Sequence, residues 1–276
     1  MKYLSFLTLA ICLYTAAAAT ELKKDVEYGK AGDVSLKLDV SIPDGEGPFP
    51  VAILVHGGGW TAGDKEKNFV PLFPSLTQAH FVWVSVNYRL APQYRYPACV
   101  EDVEQSIRWV KAHTAEFKGD PKRIALIGES AGGHIVSMVA LRAKDDTRVD
   151  AVIPFYGPHD LEADCIRRNG LSPSMKALFG LTEFDDDAHK ILRTASSTNY
   201  FHRGLPPFLL IHGTADKSVS YQQSIVFQAR LREIDVPCEL ITVEGGTHGL
   251  GTWEKLDVSY KDKMITWLNT NLGVAK

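Results

Sequence analysis

Apolar residues follow two patterns along this chain, one with a period of two and one in unbroken runs. Val34, Leu36, Leu38, Val40 and Ile42 alternate with polar residues, which predicts a half-buried strand. Short continuous apolar runs predict fully buried strands of a parallel sheet, and they occupy residues 51–55, 82–86, 124–127, 151–153, 207–211 and 239–243.

Between these runs, apolar residues recur at helical spacing. Val100, Val103, Ile107 and Val110 show this spacing, as do residues 131–143 and 219–232. A last stripe, predicted to face the core from a terminal helix, consists of Leu256, Tyr260, Met264 and Trp267. Alternating strands and helices predict an α/β fold with a mostly parallel, doubly wound sheet. Residues 157–204 form a longer segment that is predicted to be irregular, between two of the predicted strands.

The pentapeptide Gly128-Glu129-Ser130-Ala131-Gly132 lies between a predicted strand and a predicted helix. Two glycines placed around a serine allow a sharp strand-to-helix turn that lifts the serine hydroxyl into the open. A serine hydroxyl needs a base and an orienting acid to act as a nucleophile near neutral pH. We therefore expect Ser130 to be a nucleophile, and Glu129 to be a supporting polar residue beside it.

The acid and the base are expected on loops that follow late strands, in the order serine, acid, histidine. Asp216 follows the run 207–211, and His248 follows the run 239–243. These two residues are the predicted partners of Ser130, with Glu244 and Asp235 as alternative acids. Three further histidines adjoin the motifs, and we expect them to shape loops rather than to transfer protons: His56, His134 and His212.

A glycine run follows the strand at residues 51–55 and reads His56-Gly57-Gly58-Gly59-Trp60. Backbone N–H groups in such a loop can point at a ligand. We expect the amides of Gly58 and Gly59 to join the amide of Ala131 as an oxyanion hole, to which Trp60 could contribute.

These motifs, in this order, resemble the α/β-hydrolase superfamily. The resemblance covers about residues 36–268, and it also rests on residues 87–92 and on Pro97, Ala98, Glu101 and Asp102. Within the superfamily the chain resembles compact carboxylesterases, namely acetyl-xylan and feruloyl esterase-like hydrolases and hormone-sensitive-lipase-like hydrolases. The latter usually carry a large helical cap before the first strand, for which this sequence leaves no room.

The resemblance implies a serine carboxylesterase that hydrolyses short-acyl or aryl esters through an acyl-enzyme, with acetyl or feruloyl groups on polysaccharide as candidate substrates. A general lipolytic esterase and an amide-cleaving peptidase or formamidase remain alternatives. The resemblance also implies that residues 157–204 form a small lid insertion over the catalytic serine. The substrate pocket is expected to include Trp60, Met175, Leu178 and Phe179. Arg89 and Asp102 are expected to form a structural ion pair.

Composition agrees with one catalytic domain over residues 20–276, because 276 residues with 45% apolar content can bury a full core. A net charge of −3 argues against a nucleic-acid partner. The cysteines do not have metal-ligand spacing, and consecutive Asp185, Asp186 and Asp187 are more typical of a helix start than of a calcium loop. We expect no metal and no cofactor. The oligomeric state is not indicated.

The amino terminus has the three parts of a secretory signal: a lysine, an apolar stretch and a run of alanines ending at Ala19. We therefore expect residues 1–19 to be a signal peptide and the mature chain, with no membrane span, to be secreted or periplasmic. Three cysteines would remain, Cys99, Cys165 and Cys238, and their wide spacing identifies no disulfide pair.

Overall fold

A computed structural model describes residues 20–274 of the chain, so the predicted signal peptide at residues 1–19 lies outside the described residues. Eight strands form a single sheet. In chain order they are β1 (Glu21–Ala31), β2 (Val34–Ile42), β3 (Phe49–Val55), β4 (Val82–Val86), β5 (Gly119–Glu129), β6 (Ala151–Phe155), β7 (Phe208–Gly213) and β8 (Cys238–Val243).

The spatial order of the strands is β1-β2-β4-β3-β5-β6-β7-β8. From β4 to β8 all neighbours are parallel, whereas β2 is antiparallel to both β1 and β4. The predicted mostly parallel sheet is thus confirmed, and each predicted strand corresponds to an observed one. Strand β1 was not predicted, because its sequence is largely polar and its side chains are mostly exposed.

Helices cover both faces of the sheet. They are α1 (Phe73–Gln78), α2 (Ala98–His113), α3 (Ala131–Leu141), α4 (Leu161–Arg168), α5 (Pro173–Phe179), α6 (Asp186–Ala195), α7 (Gln222–Glu233), α8 (Leu250–Trp253) and α9 (Ser259–Asn271). Alternate residues of β3 enter two separate cores: Ile53 packs on the α2, α3 and α7 side, and Leu54 on the α1 and α9 side. Burial on both faces explains the unbroken apolar runs. No helix among residues 20–274 is both long and apolar enough to cross a bilayer.

The insertion at residues 157–204 is mainly helical, so the expectation of an irregular segment was wrong. It contains α4, α5, α6 and a short 3-10 turn at Ser197–Asn199. The side chains of Asp160, Ser172 and Asp185 cap the amino termini of the three helices. Helices of seven to ten residues are too short for a clear sequence period. The cap at Asp185 confirms that the aspartate run begins a helix.

Three further details test the sequence patterns: the terminal helix, an ion pair and the cysteines. Helix α9 begins at Ser259, so Leu256 precedes it and is 54% exposed; the predicted stripe holds only for Tyr260, Met264 and Trp267. Arg89 forms the expected ion pair, with its Nη2 2.7 Å from Asp102 Oδ1. All three described cysteines are buried and free.

Candidate active site

The turn between β5 and α3 places Ser130 at the carboxyl end of the central strand. Ser130 has φ 55° and ψ −116°, a strained conformation that the neighbouring chain holds in place. Its N–H donates to the carbonyl of Phe155 on β6 at 2.9 Å. A Cβ atom at Gly132 would collide with the backbone carbonyls of Val55 and His56, which explains why this position needs glycine.

The structure brings Ser130, His248 and Asp216 into one hydrogen-bonded chain. Ser130 Oγ lies 2.8 Å from His248 Nε2, and His248 Nδ1 lies 2.7 Å from Asp216 Oδ2. The three residues follow β5, β8 and β7, so the carboxyl ends of parallel strands carry all of them. This geometry matches a nucleophile, a base and an orienting acid.

Asp216 is held as a carboxylate by several donors. Burial alone would raise its pKa, but hydrogen bonds from His212, from His248 and from the backbone N–H of Val219 outweigh burial and hold the pKa well below its usual range. Oδ1 also accepts from the N–H of Ser218 at 2.8 Å. A permanent negative charge here supports a positive charge on His248.

The two alternative acids lie elsewhere. Glu244 is exposed and accepts a hydrogen bond from Thr214 Oγ1 at 3.0 Å. Asp235 is exposed and pairs with Arg203. Neither carboxylate contacts His248, whereas Asp216 does.

The glycine loop after β3 borders the same cavity as Ser130. Gly58 and Gly59 have φ of 100° and 60°, and a Cβ atom at Gly58 would collide with the backbone of Ala62. Ala131 is the first residue of α3, so its N–H has no acceptor within the helix. The three residues predicted to form the oxyanion hole, Gly58, Gly59 and Ala131, therefore line one cavity with the serine.

Glu129 connects the nucleophile turn to the glycine loop. Its Oε1 accepts from the N–H of Gly57 at 2.7 Å and from Asn68 Nδ2 at 2.6 Å. The side chain is buried, and it contacts the loop rather than the hydroxyl of Ser130. This is the supporting position that the sequence predicts for Glu129.

The three remaining motif histidines are buried in structural positions. His56 Nδ1 donates to the carbonyl of Gly57, and the ring stacks on Tyr88. His134 accepts from the indole of Trp60 at 3.2 Å and donates to the carbonyl of Ala195 at 2.7 Å. Burial lowers the pKa of both His56 and His134 to about 4, so both are neutral near pH 7.

His212 lies near the same carboxylate oxygen of Asp216 that His248 contacts. Its Nε2 lies 3.1 Å from the carbonyl of Val219 and 3.4 Å from Asp216 Oδ2, while Nδ1 accepts from the hydroxyl of Ser224 at 2.8 Å. His212 thus shapes the acid loop, as the sequence predicts.

The cavity above Ser130 has a volume of about 510 Å³ and two contrasting walls. We call one the catalytic wall, which consists of Gly58, Gly59, Trp60, Glu129, Ser130 and Ala131. We call the other the insertion wall, which consists of Asp164, Arg168, Ser172, Ser174 and Met175 from the α4–α5 region. Lys217, Ser218 and His248 also line the cavity.

Only part of the predicted substrate pocket borders this cavity. Trp60 and Met175 line it, but Leu178 and Phe179 do not. Leu178 lies one helical turn beyond Met175, where the carbonyl of Leu178 accepts from the N–H of Tyr96 and its side chain is fully buried. Phe179 packs against the ring of Tyr96 at 5.5 Å. The expectation for these two residues was therefore wrong.

Several cavity residues were missed by the sequence analysis: Asn68, Asp164, Arg168, Ser172, Ser174 and Lys217. Asp164 and Arg168 lie in α4, and Ser172 and Ser174 begin α5, two helices too short for a clear sequence period. Lys217 alone carried a signal, since it directly follows Asp216. Within residues 20–274, no three His, Cys, Asp or Glu side chains are grouped as metal ligands.

Comparison with protein families tests the resemblance directly. Residues 38–231 match the family model described as BD-FAE. The chain belongs to the BD-FAE family. This match spans β5, α3 and Asp216, and the expected resemblance to α/β-hydrolase esterases is confirmed.

Two relatives of this BD-FAE chain come from Mycobacterium tuberculosis. The probable carboxylic ester hydrolase LipM is 33% identical over 75% of this chain and 50% of its own length. Carboxylesterase NlhH is 43% identical over 73% of this chain and 66% of its own length. The chain thus spans about half to two thirds of these relatives.

A solved structure shares the fold over nearly its whole length. The acetyl ester-xyloside bifunctional hydrolase from Caldicellulosiruptor lactoaceticus superposes with a TM-score of 0.74 at 28% identity, covering 86% of this chain and 89% of that one. The sheet and helices described above are therefore those of the α/β-hydrolase fold.

Proposed function

We propose that this chain is a serine carboxylesterase in which Ser130 is the nucleophile, His248 the general base and Asp216 the orienting acid. The observation that carries the proposal is the continuous chain of two hydrogen bonds, 2.8 and 2.7 Å long, at the carboxyl ends of three parallel strands. The names of the mycobacterial relatives, a carboxylic ester hydrolase and a carboxylesterase, support it.

The mechanism follows from the positions of these atoms. As Ser130 Oγ attacks the ester carbonyl, His248 Nε2 takes the hydroxyl proton, and Asp216 stabilises the imidazolium through Nδ1–H. The same proton then passes to the departing alcohol, leaving an acyl group on Ser130. Water attacks this acyl-enzyme with His248 again as the base, which releases the acid and restores the serine.

We further propose that the amides of Gly58, Gly59 and Ala131 form the oxyanion hole. These amides belong to backbone that is held before substrate arrives, by Glu129 on the loop side and by α3 on the other. Donors fixed in advance stabilise a developing oxyanion without a reorganisation cost. Glu129 acts on them as a positioning residue.

We propose short-acyl or aryl esters as substrates, with acetyl or feruloyl groups on polysaccharide as the leading candidates. Hydroxyl and amide groups of Ser172, Ser174 and Asn68 border the cavity, which suits a polar alcohol such as a sugar better than a long alkyl chain. The name of the Caldicellulosiruptor neighbour, an acetyl ester-xyloside hydrolase, points in the same direction.

The test is kcat/KM on nitrophenyl esters of increasing acyl length, methyl ferulate and acetylated xylan. Ser130→Ala should lower ester turnover by about 10⁴-fold while the protein stays folded. Ser35→Ala is the matched control, because it removes an exposed hydroxyl on β2. Near-wild-type turnover by Ser130→Ala would overturn the assignment, and amide turnover exceeding ester turnover would favour a peptidase or formamidase.

We also propose that the mature protein is secreted or periplasmic. The apolar stretch and alanine run of residues 1–19 support export followed by cleavage near Ala19. Mass determination of the mature chain from its native host checks this: a mass that includes residues 1–19 would contradict it.

A further inference from the structure

Four acidic or basic side chains, apart from the histidine of the proposed triad, line the cavity above Ser130. Two are acids, Glu129 and Asp164, and two are bases, Arg168 and Lys217. The acids are nearly inaccessible, at 6% and 2% exposure, whereas Lys217 is exposed. A ligand in the cavity therefore meets the positive groups more readily than the negative ones.

Both acids are also occupied within the protein. Glu129 Oε1 accepts from Gly57 and Asn68. Asp164 binds two guanidinium groups, since Arg167 Nη2 lies 2.6 Å from Oδ1 and Arg168 Nε lies 2.6 Å from Oδ2. The charge of Asp164 is thus compensated within the protein, and Arg168 is the one of the two arginines that also lines the cavity.

Arg168 is held in place from two sides. Besides its bond to Asp164, its Nη2 donates to the backbone carbonyl of Ser218. This contact connects α4 to the loop that carries Asp216 and Lys217, and both Arg168 and Lys217 line the cavity.

Lys217 is the second basic side chain that lines the cavity. Its neighbour Asp216 is buried and bound by His248 and His212, and Asp164 is bound by the two arginines. Within the part of the chain that the structure describes, Lys217 forms no ion pair. An exposed ammonium at the mouth of a cavity is free to meet a charged group of a ligand.

We propose that this cavity selects esters that carry a carboxylate on their acyl or alcohol part, with Lys217 and Arg168 receiving that carboxylate. The inference rests on the proposed esterase function and assigns its substrate class. An acidic sugar ester or the half-ester of a dicarboxylic acid would both present this chemistry. The carboxylate remains unchanged in the reaction and contributes to binding and orientation alone.

The test compares charged and neutral esters of matched shape. On the acyl side the pair is mono-4-nitrophenyl glutarate and 4-nitrophenyl valerate. On the alcohol side it is 3-acetoxybenzoate and its methyl ester. For each pair the measured quantity is the ratio of kcat/KM for the charged ester to kcat/KM for the neutral one, and comparing variants cancels the intrinsic reactivity of the esters.

In at least one pair, Lys217→Gln should lower this ratio about 5-fold, the effect expected of two charges close together in water. Lys217→Glu should lower it further, about 20-fold, because repulsion replaces attraction. Raising the ionic strength from about 0.02 M to about 0.5 M should reduce the wild-type ratio by roughly 3-fold, because salt screens the attraction between the charges. The pair that responds identifies whether the carboxylate belongs to the acyl or the alcohol part.

Lys122→Gln is the matched control. It removes the same exposed charge near the other end of β5, roughly 25 Å from Ser130 at the rise of a strand, and should leave both ratios unchanged. Ratios that are unchanged in Lys217→Gln and Lys217→Glu for both pairs would overturn the proposal. If Ser130→Ala still abolishes ester turnover in that case, the esterase assignment stands and only the proposed substrate class is wrong. Failure of one proposal can therefore be distinguished from failure of the other.

Discussion

The two walls of the cavity differ in the parts of the chain that form them. The catalytic wall consists largely of backbone in special conformations, such as Ser130 at φ 55° and Gly58 at φ 100°. The insertion wall consists of side chains on short capped helices, such as Arg168 on α4 and Met175 on α5. The first wall therefore depends on which residues the backbone tolerates, and the second depends on how the helices pack and pair their charges.

Because of this difference, the catalytic wall is suited to the proposed reaction and the insertion wall to the choice of substrate. Backbone amides and a nucleophile on a rigid turn keep one geometry, which acyl transfer requires. Side chains on an insertion can be exchanged without disturbing the sheet, so the insertion wall is suited to setting the substrate. Substitutions in the two walls should accordingly differ in both size and kind of effect.

The largest effect should come from the backbone of the catalytic wall. Gly132→Ala places a Cβ atom against the carbonyls of Val55 and His56, which cannot move without disturbing β3. We expect a loss of about 4 kcal/mol in the free energy of unfolding, together with a large drop in kcat. Urea unfolding of the purified variant measures the first quantity.

Gly251→Ala is the matched control for this prediction. Gly251 lies in α8 with open space around its Cα, so the added methyl group should be neutral or stabilise the protein by up to about 1 kcal/mol. Equal stabilities of the two variants would show that the close approach at Gly132 relaxes freely, and the contrast between the walls would lose its physical basis.

The same difference explains what sequence reasoning could reach. Glycine spacing and strand runs are local signals, so the sequence could indicate the nucleophile turn, the glycine loop, Asp216 and His248, which the structure brings together. The helices within residues 157–204 could not be predicted because each is too short for a clear period, and the place of Leu178 depends on its contact with Tyr96. Arg168 and Lys217 are far apart in the sequence, and only the folded chain brings both to one cavity.

The second largest effect should be a loss of stability in acid, which is caused by two buried histidines behind the catalytic wall. His56 and His134 have a pKa lowered by burial from 6.5 to about 4. Because the unfolded chain takes up these protons first, stability is full above pH 6.5 and falls as the pH drops towards 4. Each histidine should contribute roughly 3 kcal/mol to this loss. Urea unfolding at several pH values between 7 and 4 measures it.

His134→Gln separates this contribution from the rest. Glutamine can accept from Trp60 and donate to Ala195 but does not titrate, so the slope of unfolding free energy against pH should be shallower by about 1.4 kcal/mol per pH unit between the two pKa values. A slope identical to that of the wild type would contradict the lowered pKa of His134 in the folded protein. The slope is informative even where the variant is less stable overall.

The smallest effect should come from the insertion wall. Ser172 caps α5 by accepting from the N–H of Met175 at 3.2 Å, and Ser172→Ala should cost about 1 kcal/mol of unfolding free energy. Ser172→Thr keeps the hydroxyl and should restore most of it. If instead Ser172→Ala keeps wild-type stability but raises KM with kcat unchanged, the hydroxyl binds substrate rather than the helix. Loss of a cap acts through the fold and should lower the unfolding temperature without raising KM. Calorimetry together with steady-state kinetics therefore decides which of the two roles this serine has.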